Sequence, residues 1–184
     1  MTLLPIDEIN QFQSNLSTHY ENGLVKSRAD EDSIIEELED LFLLSFARGL
    51  ESANADLNTA IQASLAEVES TVYANVAGKN WTERVREYFA NGGTQADIER
   101  IAATESHRIT NEAAFDTAMK AGAKTKTWNC SMLPTSREQH IFLDGVTAPM
   151  DGYFYTYTGA RTLFPGQFGE PENDVNCLCW LTFK

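Results

Sequence analysis

The sequence predicts an α+β fold: an acidic, helical N-terminal part, then a long helix packed on a small C-terminal module of short strands. Three observations carry that expectation. Apolar residues recur at three-to-four spacing through the first two thirds of the chain, as one face of a helix requires. From Lys124 the texture changes to aromatic, Gly- and Pro-punctuated segments with a period near two, the pattern of short strands. Charge is divided in the same way: of the net −13, residues 1–70 contribute −11, with 14 acids against 3 bases, and the rest of the chain is nearly neutral.

Each element has a local reason. Pro5 suits a helix start, and Ile6, Ile9, Gln13, Leu16 and Tyr20 follow one helical face until Asn22-Gly23 stops it. Ser33 is placed to cap a second helix. There Ile34, Ile35, Leu38, Leu41, Phe42 and Phe46 form an apolar stripe opposite Glu36, Glu37, Glu39 and Asp40, with Gly49 expected as a break or bend. Leu57, Ile61, Leu65, Val68, Val72 and Val76 suggest a third helix closed by Gly78. Asn80 and Glu83 form a capping box for a short helix that ends at Asn91-Gly92-Gly93. Thr94 with Asp97 caps the longest helix, which runs through Ile98, Ile101, Ala102, Glu105, Ile109 and Phe115 to Gly122. Beyond it KTKTWNC and YFYTYT alternate as strands, TSREQHIF makes one or two helical turns, and VNCLCWLTF is a closing strand. The expected division is therefore an acidic helical region over 1–93 and an α+β module over 94–184.

Several function classes drop out. No apolar stretch approaches the roughly 20 residues of a membrane span, and MTLLPIDEINQ has neither the basic nor the apolar region of a secretory signal, so export by a cleaved signal is not expected. The acidic N-terminal part repels phosphate backbones but suits a basic protein partner. There is no GxxxxGK[ST] loop, no GxGxxG, no HExxH and no GxSxG elbow. An odd count of 3 Cys without a signal points to reduced thiols in a cytosolic setting.

The chemistry-bearing residues lie in the last 60 positions. Cys130, His140, Cys177 and Cys179 have the donor types of a soft N/S zinc site, and a strand would put Cys177 and Cys179 on one face. The paired CxxC knuckles of structural zinc sites are missing, so the expectation is buried packing thiols and no cofactor, with zinc as the alternative. Cys177 or Cys179 with His140 and Asp144 also has the composition of a thiol nucleophile, base and orienting carboxylate. Glu105, Arg108, Asn111 and Glu112 share a face of the long helix with Thr104 at its margin. Those groups are expected to pair locally and to pin irregular loops such as PGQFG, whose backbone needs side-chain partners. Asp144-Gly145 reads as a turn whose carboxylate accepts backbone N–H groups. The aromatics Trp128, Phe142, Tyr153, Phe154, Tyr155, Tyr157, Phe164, Phe168 and Trp180 are expected to form the module's core.

Taken in order, Ile101-Ala-Ala-Thr104-Glu105-Ser-His-Arg108-Ile-Thr-Asn111, Gly122, Trp128, Arg137-Glu-Gln-His140-Ile-Phe-Leu-Asp144-Gly145, Pro165-Gly-Gln-Phe-Gly169 and Asn176-Cys177-Leu-Cys179-Trp resemble the MuF-like head-morphogenesis (minor capsid) family of tailed phages. The resemblance covers about residues 95–181 and leaves out the helical N-terminus; Leu178 departs from it, standing where the family usually has Arg. It implies a non-enzymatic virion protein present in few copies inside the capsid near the portal, made in the host cytoplasm and working in head assembly or genome delivery. The implied partner is the portal or another head component, with packaged DNA reached only indirectly and no membrane; residues 1–90, acidic and outside the resemblance, are expected to engage it. A toxin-like effector or a thiol- or metal-dependent enzyme built on the C-terminal module is the alternative it brings to mind.

Overall fold

The computed structural model describes residues 5–21 and 28–184 and has the expected α+β character. Five helices come first: α1 (Ile6–Glu21), α2 (Arg28–Leu57), α3 (Leu65–Val72), α4 (Trp81–Ala90) and α5 (Gln95–Lys120). The expected stop at Asn22-Gly23 lies outside the described residues. Strand β1 (Thr125–Asn129), helix α6 (Glu138–Ile141), β2 (Thr147–Pro149), β3 (Phe154–Tyr155), β4 (Arg161–Thr162), helix α7 (Pro171–Asp174) and β5 (Trp180–Phe183) complete the chain.

Where the sequence carries a local cap, the boundary falls as expected. Asn80 and Glu83 form a reciprocal box at α4, and Thr94 and Asp97 do the same at α5. Two boundaries differ. Ser33 lies inside α2, which begins at Arg28. The apolar series from Leu57 to Val76 is not one helix: α2 ends at Leu57, Asn58 takes a left-handed φ of 51°, and Ser64 with Glu67 boxes the start of the shorter α3. The Asn54 side chain closes this break, accepting from Ile61 N–H at 2.8 Å and donating to Ile61 C=O at 2.9 Å.

Gly49 does not break α2. A Cβ at that position would lie 2.2 Å from the Thr110 carbonyl oxygen and 2.9 Å from Ala113 Cβ, so glycine is what lets the α5 backbone cross α2 closely. Thr110 reinforces the crossing by donating to Ser45 C=O at 3.1 Å. The two helices organise two apolar cores. One gathers Phe12, Leu16, Leu38, Phe42, Val72, Trp81 and Val85 around Ile98, Ile101, Ile109 and Ala113 of α5. The other gathers Trp128, Cys130, Leu143, Phe154, Phe164, Cys177, Cys179, Leu181 and Phe183 around Ala114, Phe115 and Ala118 of α5 and Ala53 of α2.

The module's sheet has the order β2-β1-β5, antiparallel throughout, with Trp128 opposite Leu181 and Lys126 opposite Phe183; β3 and β4 form a separate hairpin. Asp56 of α2 accepts from Phe183 N–H at 3.1 Å, fastening the closing strand to the helical layer. The aromatic expectation is half corrected. Trp128, Phe154 and Phe164 are buried, but Phe142, Tyr153, Tyr155 and Tyr157 are exposed, because strand alternation that turns Phe154 and Thr156 inward turns the tyrosines out.

Replacing an interior helical glycine with alanine normally stabilises by about 1 kcal/mol. At Gly49 the new methyl meets backbone that cannot move aside, so Gly49→Ala should instead destabilise by roughly 1–3 kcal/mol. Urea unfolding of the two proteins gives the sign directly, and a stabilised variant would contradict the close crossing.

A buried polar spine and a cysteine–histidine cluster

Helix α5 is buried on almost every side, so its polar side chains need partners within the protein. Arg108 and Glu105 are 5% and 1% exposed. The Arg108 guanidinium donates from Nε to Glu105 at 2.7 Å, from one terminal nitrogen to Glu112, and from the other to Thr71 C=O at 2.9 Å. Thr71 lies in the last turn of α3, where carbonyls lack intrahelical donors, so the cation also caps that helix. The second Glu105 oxygen accepts from Arg84 of α4 at 2.6 Å. Burial raises the Glu112 carboxyl above its ordinary range, and the Arg108 charge pulls against that rise. On the same helix His107 is buried, and the loss of water pushes its imidazole down to about 4.

Residues on either side of this ion-paired face hold a different stretch of backbone. Asn111 donates to Cys179 C=O at 3.1 Å, and Thr104 Oγ1 accepts from Asn176 N–H at 3.2 Å. Between those fastenings Asn176 adopts a left-handed φ of 54°, and residues 176–179 form an irregular segment ahead of β5. Cys177 and Cys179 therefore do not lie on a strand, as the period-two reading expected. The turn and the two fastenings bring them together instead.

The thiols converge on one imidazole. Cys177 Sγ lies 3.5 Å and Cys179 Sγ 3.7 Å from His140 Nδ1, and all three residues are buried. Aromatic rings hold the imidazole on two sides: Phe168 stacks on it at 5.5 Å and Trp128 meets it edge-on at 5.6 Å. Cys130 is a further buried thiol, a neighbour of Cys179, and its backbone N–H donates to Asp144 Oδ1 at 2.8 Å. Gly145 takes a φ of 75° and donates to Trp128 C=O at 2.8 Å, closing the turn that carries Asp144. The neighbouring Cys179 thiol, helped by His140 and opposed by burial, holds Cys177 well below the ordinary thiol range. Its neighbour Cys177, together with burial, pushes Cys179 up. A cavity of about 20 Å³ adjoins the cluster, lined by Cys130, Arg137, His140, Cys177 and Cys179 among others.

The chain matches the family described as Phage Mu protein F like protein over residues 15–182. It belongs to that family. This is a family of phage head morphogenesis, and its match takes in most of the helical N-terminal part as well as the segment from 95 to 181 that carries the recognisable motifs. No curated protein and no solved structure matches the chain.

With the Mu F-like motif residues in place, their roles differ in part from expectation. Thr104 and Asn111 pin the Asn176–Cys179 segment rather than PGQFG. The latter is held by Asp174, whose carboxylate accepts from Phe168, Gly169 and Glu170 N–H groups at 2.9, 2.7 and 3.2 Å, and by Gly166, which packs against Arg108 Cα. Glu105 accepts from two arginines and from no backbone N–H. Arg137 donates to Val175 C=O, two residues before Cys177. Asp144 serves Cys130 and makes no hydrogen bond with His140, so the thiol, imidazole and carboxylate are not assembled as a nucleophilic triad. Two further groups, half-buried Arg84 and buried Lys126, carry interactions that the sequence does not announce. Arg84 lies on another helix, and nothing local marks it. Lys126 shares a strand face with Trp128 by the period of two, donates to Met150 C=O at 2.8 Å and lies 4.6 Å above the Phe115 ring; burial pushes its amine down to about 8.

Removing the Arg108 side chain leaves Thr71 C=O without its donor and strips charge from two carboxylates. Arg108→Ala should therefore destabilise by about 3–5 kcal/mol. Arg100, exposed and paired only with neighbours on the surface, should cost under about 1 kcal/mol on the same change. Parallel thermal melts decide this, and equal losses would contradict the account of the spine.

Proposed function

We propose that this chain is a minor head protein of a tailed phage, incorporated in few copies near the portal vertex, where it binds another head component during assembly or genome delivery. The observation that carries this reading is the family match across residues 15–182, which spans the helical layer and the module together. The role we assign is one of binding and structure: the charged groups Glu105, Arg108 and Glu112 of the α5 spine are paired with one another, with Arg84 and with the Thr71 carbonyl.

The docking face we assign is the groove between α1 and α2, with room for about 280 Å³. Phe12, Leu41 and Leu44 supply an apolar floor, and Glu8, Glu37 and Asp40 an acidic rim. Its counterpart is a basic amphipathic segment of the portal or a neighbouring head protein, with apolar side chains for the floor and Lys or Arg for the rim. DNA is a poor ligand for such a face because its phosphates meet carboxylates. No helix among the described residues is long and apolar enough to cross a membrane.

Asp40 and Leu44 are exposed, so the double change Asp40→Arg with Leu44→Arg should leave the far-UV circular dichroism spectrum intact. It should weaken retention of the full-length chain on the purified portal oligomer at least about tenfold, the loss expected of one charged contact and one apolar contact together. Undiminished retention would overturn the assigned face.

A further inference from the structure

We infer that Cys130, His140, Cys177 and Cys179 form a structural zinc site that locks the Asn176–Cys179 segment to α6 and to the end of β1.

In a tetrahedral centre with Zn–S of about 2.3 Å and Zn–N of about 2.0–2.1 Å, the distances between ligand atoms come out at about 3.5–3.8 Å. The two sulfur-to-Nδ1 distances are 3.5 and 3.7 Å, and the ligand atoms of His140, Cys177 and Cys179 all lie within 4.8 Å of one another. An imidazole nitrogen offers one lone pair or one N–H, so Nδ1 can satisfy one of the two thiols aimed at it by hydrogen bonding, and the other is left to the weak contact between sulfurs. A cation at their common centre uses both sulfurs and the nitrogen lone pair at once.

Cys130 is the fourth ligand. It neighbours Cys179 and lines the same small cavity as the other three, but stands outside the group whose ligand atoms already fall within 4.8 Å of one another, so its thiol has to turn inward to close the set. Three thiolates around a divalent ion leave one negative charge, and the cationic residue Arg137 is among those that line the cavity.

An outer scaffold holds the cluster. Asp144 holds the Cys130 N–H, Asn111 holds the Cys179 carbonyl, Thr104 holds the Asn176 N–H, Arg137 holds the Val175 carbonyl, and Phe168 and Trp128 clamp the His140 ring. Side chains far apart in sequence thus each fix the backbone beside a ligand or the ligand ring itself. Inert packing thiols need no such support, whereas metal sites are built with it. Binding would proceed with loss of the thiol protons to solvent and no change of oxidation state. The site is independent of the docking role proposed above and stands or falls separately.

The test uses the full-length chain purified with reduced thiols. Elemental analysis after gel filtration should find one zinc per chain. Cobalt(II) exchanged into the site should give the intense visible bands of tetrahedral coordination together with sulfur-to-cobalt charge transfer. Cys177→Ser and His140→Ala should lose those bands, Cys130→Ser should weaken affinity at least about tenfold, and His140→Cys should keep tetrahedral binding with bands displaced to longer wavelength. Because a ligand variant can unfold, the wild-type chain is also melted with and without a chelator, where removal of the metal should lower Tm by roughly 10 °C. Metal-free protein after zinc loading, iron in zinc's place, a weak octahedral cobalt spectrum, unaltered cobalt bands in Cys177→Ser, or a Tm indifferent to chelator would each overturn the inference.

Discussion

A positive charge that cannot reach water sets the terms for this structure. Arg108 sits inside the protein, and a buried guanidinium is tolerable only when opposite charge and carbonyl oxygens surround it. Its partners come from its own helix, as Glu105 and Glu112, and from α3, through Thr71 C=O. Glu105 in turn recruits Arg84 from α4. Placing one side chain correctly therefore places three helices. The same helix turns two flanking polar residues, Thr104 and Asn111, toward the segment that carries two cysteines. Polar satisfaction in one half and positioning of the cluster in the other are consequences of a single element.

That arrangement also explains why α5 crosses α2 so closely. A helix with many polar residues inward has few bulky apolar groups left for packing, so contact with α2 is made by small residues: Gly49, Ser45 and Ala53 meet Thr110, Ala113 and Ala114. Close packing recovers dispersion contacts that larger side chains would otherwise provide. Ala113 belongs to one apolar core and Ala114 to the other, so the two cores share a wall made of one helix pair. The family match over 15–182 spans both sides of that wall.

Legibility in the sequence followed the range of the interaction. Capping boxes at Asn80 and Thr94 are local, and they marked α4 and α5 correctly. The box at Ser64 is equally local, but the apolar series from Leu57 to Val76 runs across it and concealed the break at Asn58. Gly49 was read as a breaker because a lone glycine in a helix looks the same whether the chain bends there or another backbone approaches. The cluster of Cys130, His140, Cys177 and Cys179 was visible as a set of donor types, and its convergence was not. The convergence depends on a left-handed Asn176 and on side chains reaching from α5, about 70 residues earlier in the chain. The shared polar face of Glu105, Arg108 and Asn111 was legible from helical spacing, whereas Arg84, Thr71 and Asp174 were not, since nothing in their own neighbourhoods announces the partner.

The central claim is that α5 makes the helical layer and the strand module one cooperative unit. Native-state hydrogen exchange across a urea series reads this most directly, with amides of Val85 and Ile98 reporting on the helical core and those of Trp128 and Thr182 on the sheet. The account expects all four to exchange through one global opening, with the same free energy and the same dependence on urea. Sheet amides that stay protected after the helical core has opened, or helical amides that outlast the sheet, would show two separate units and contradict it.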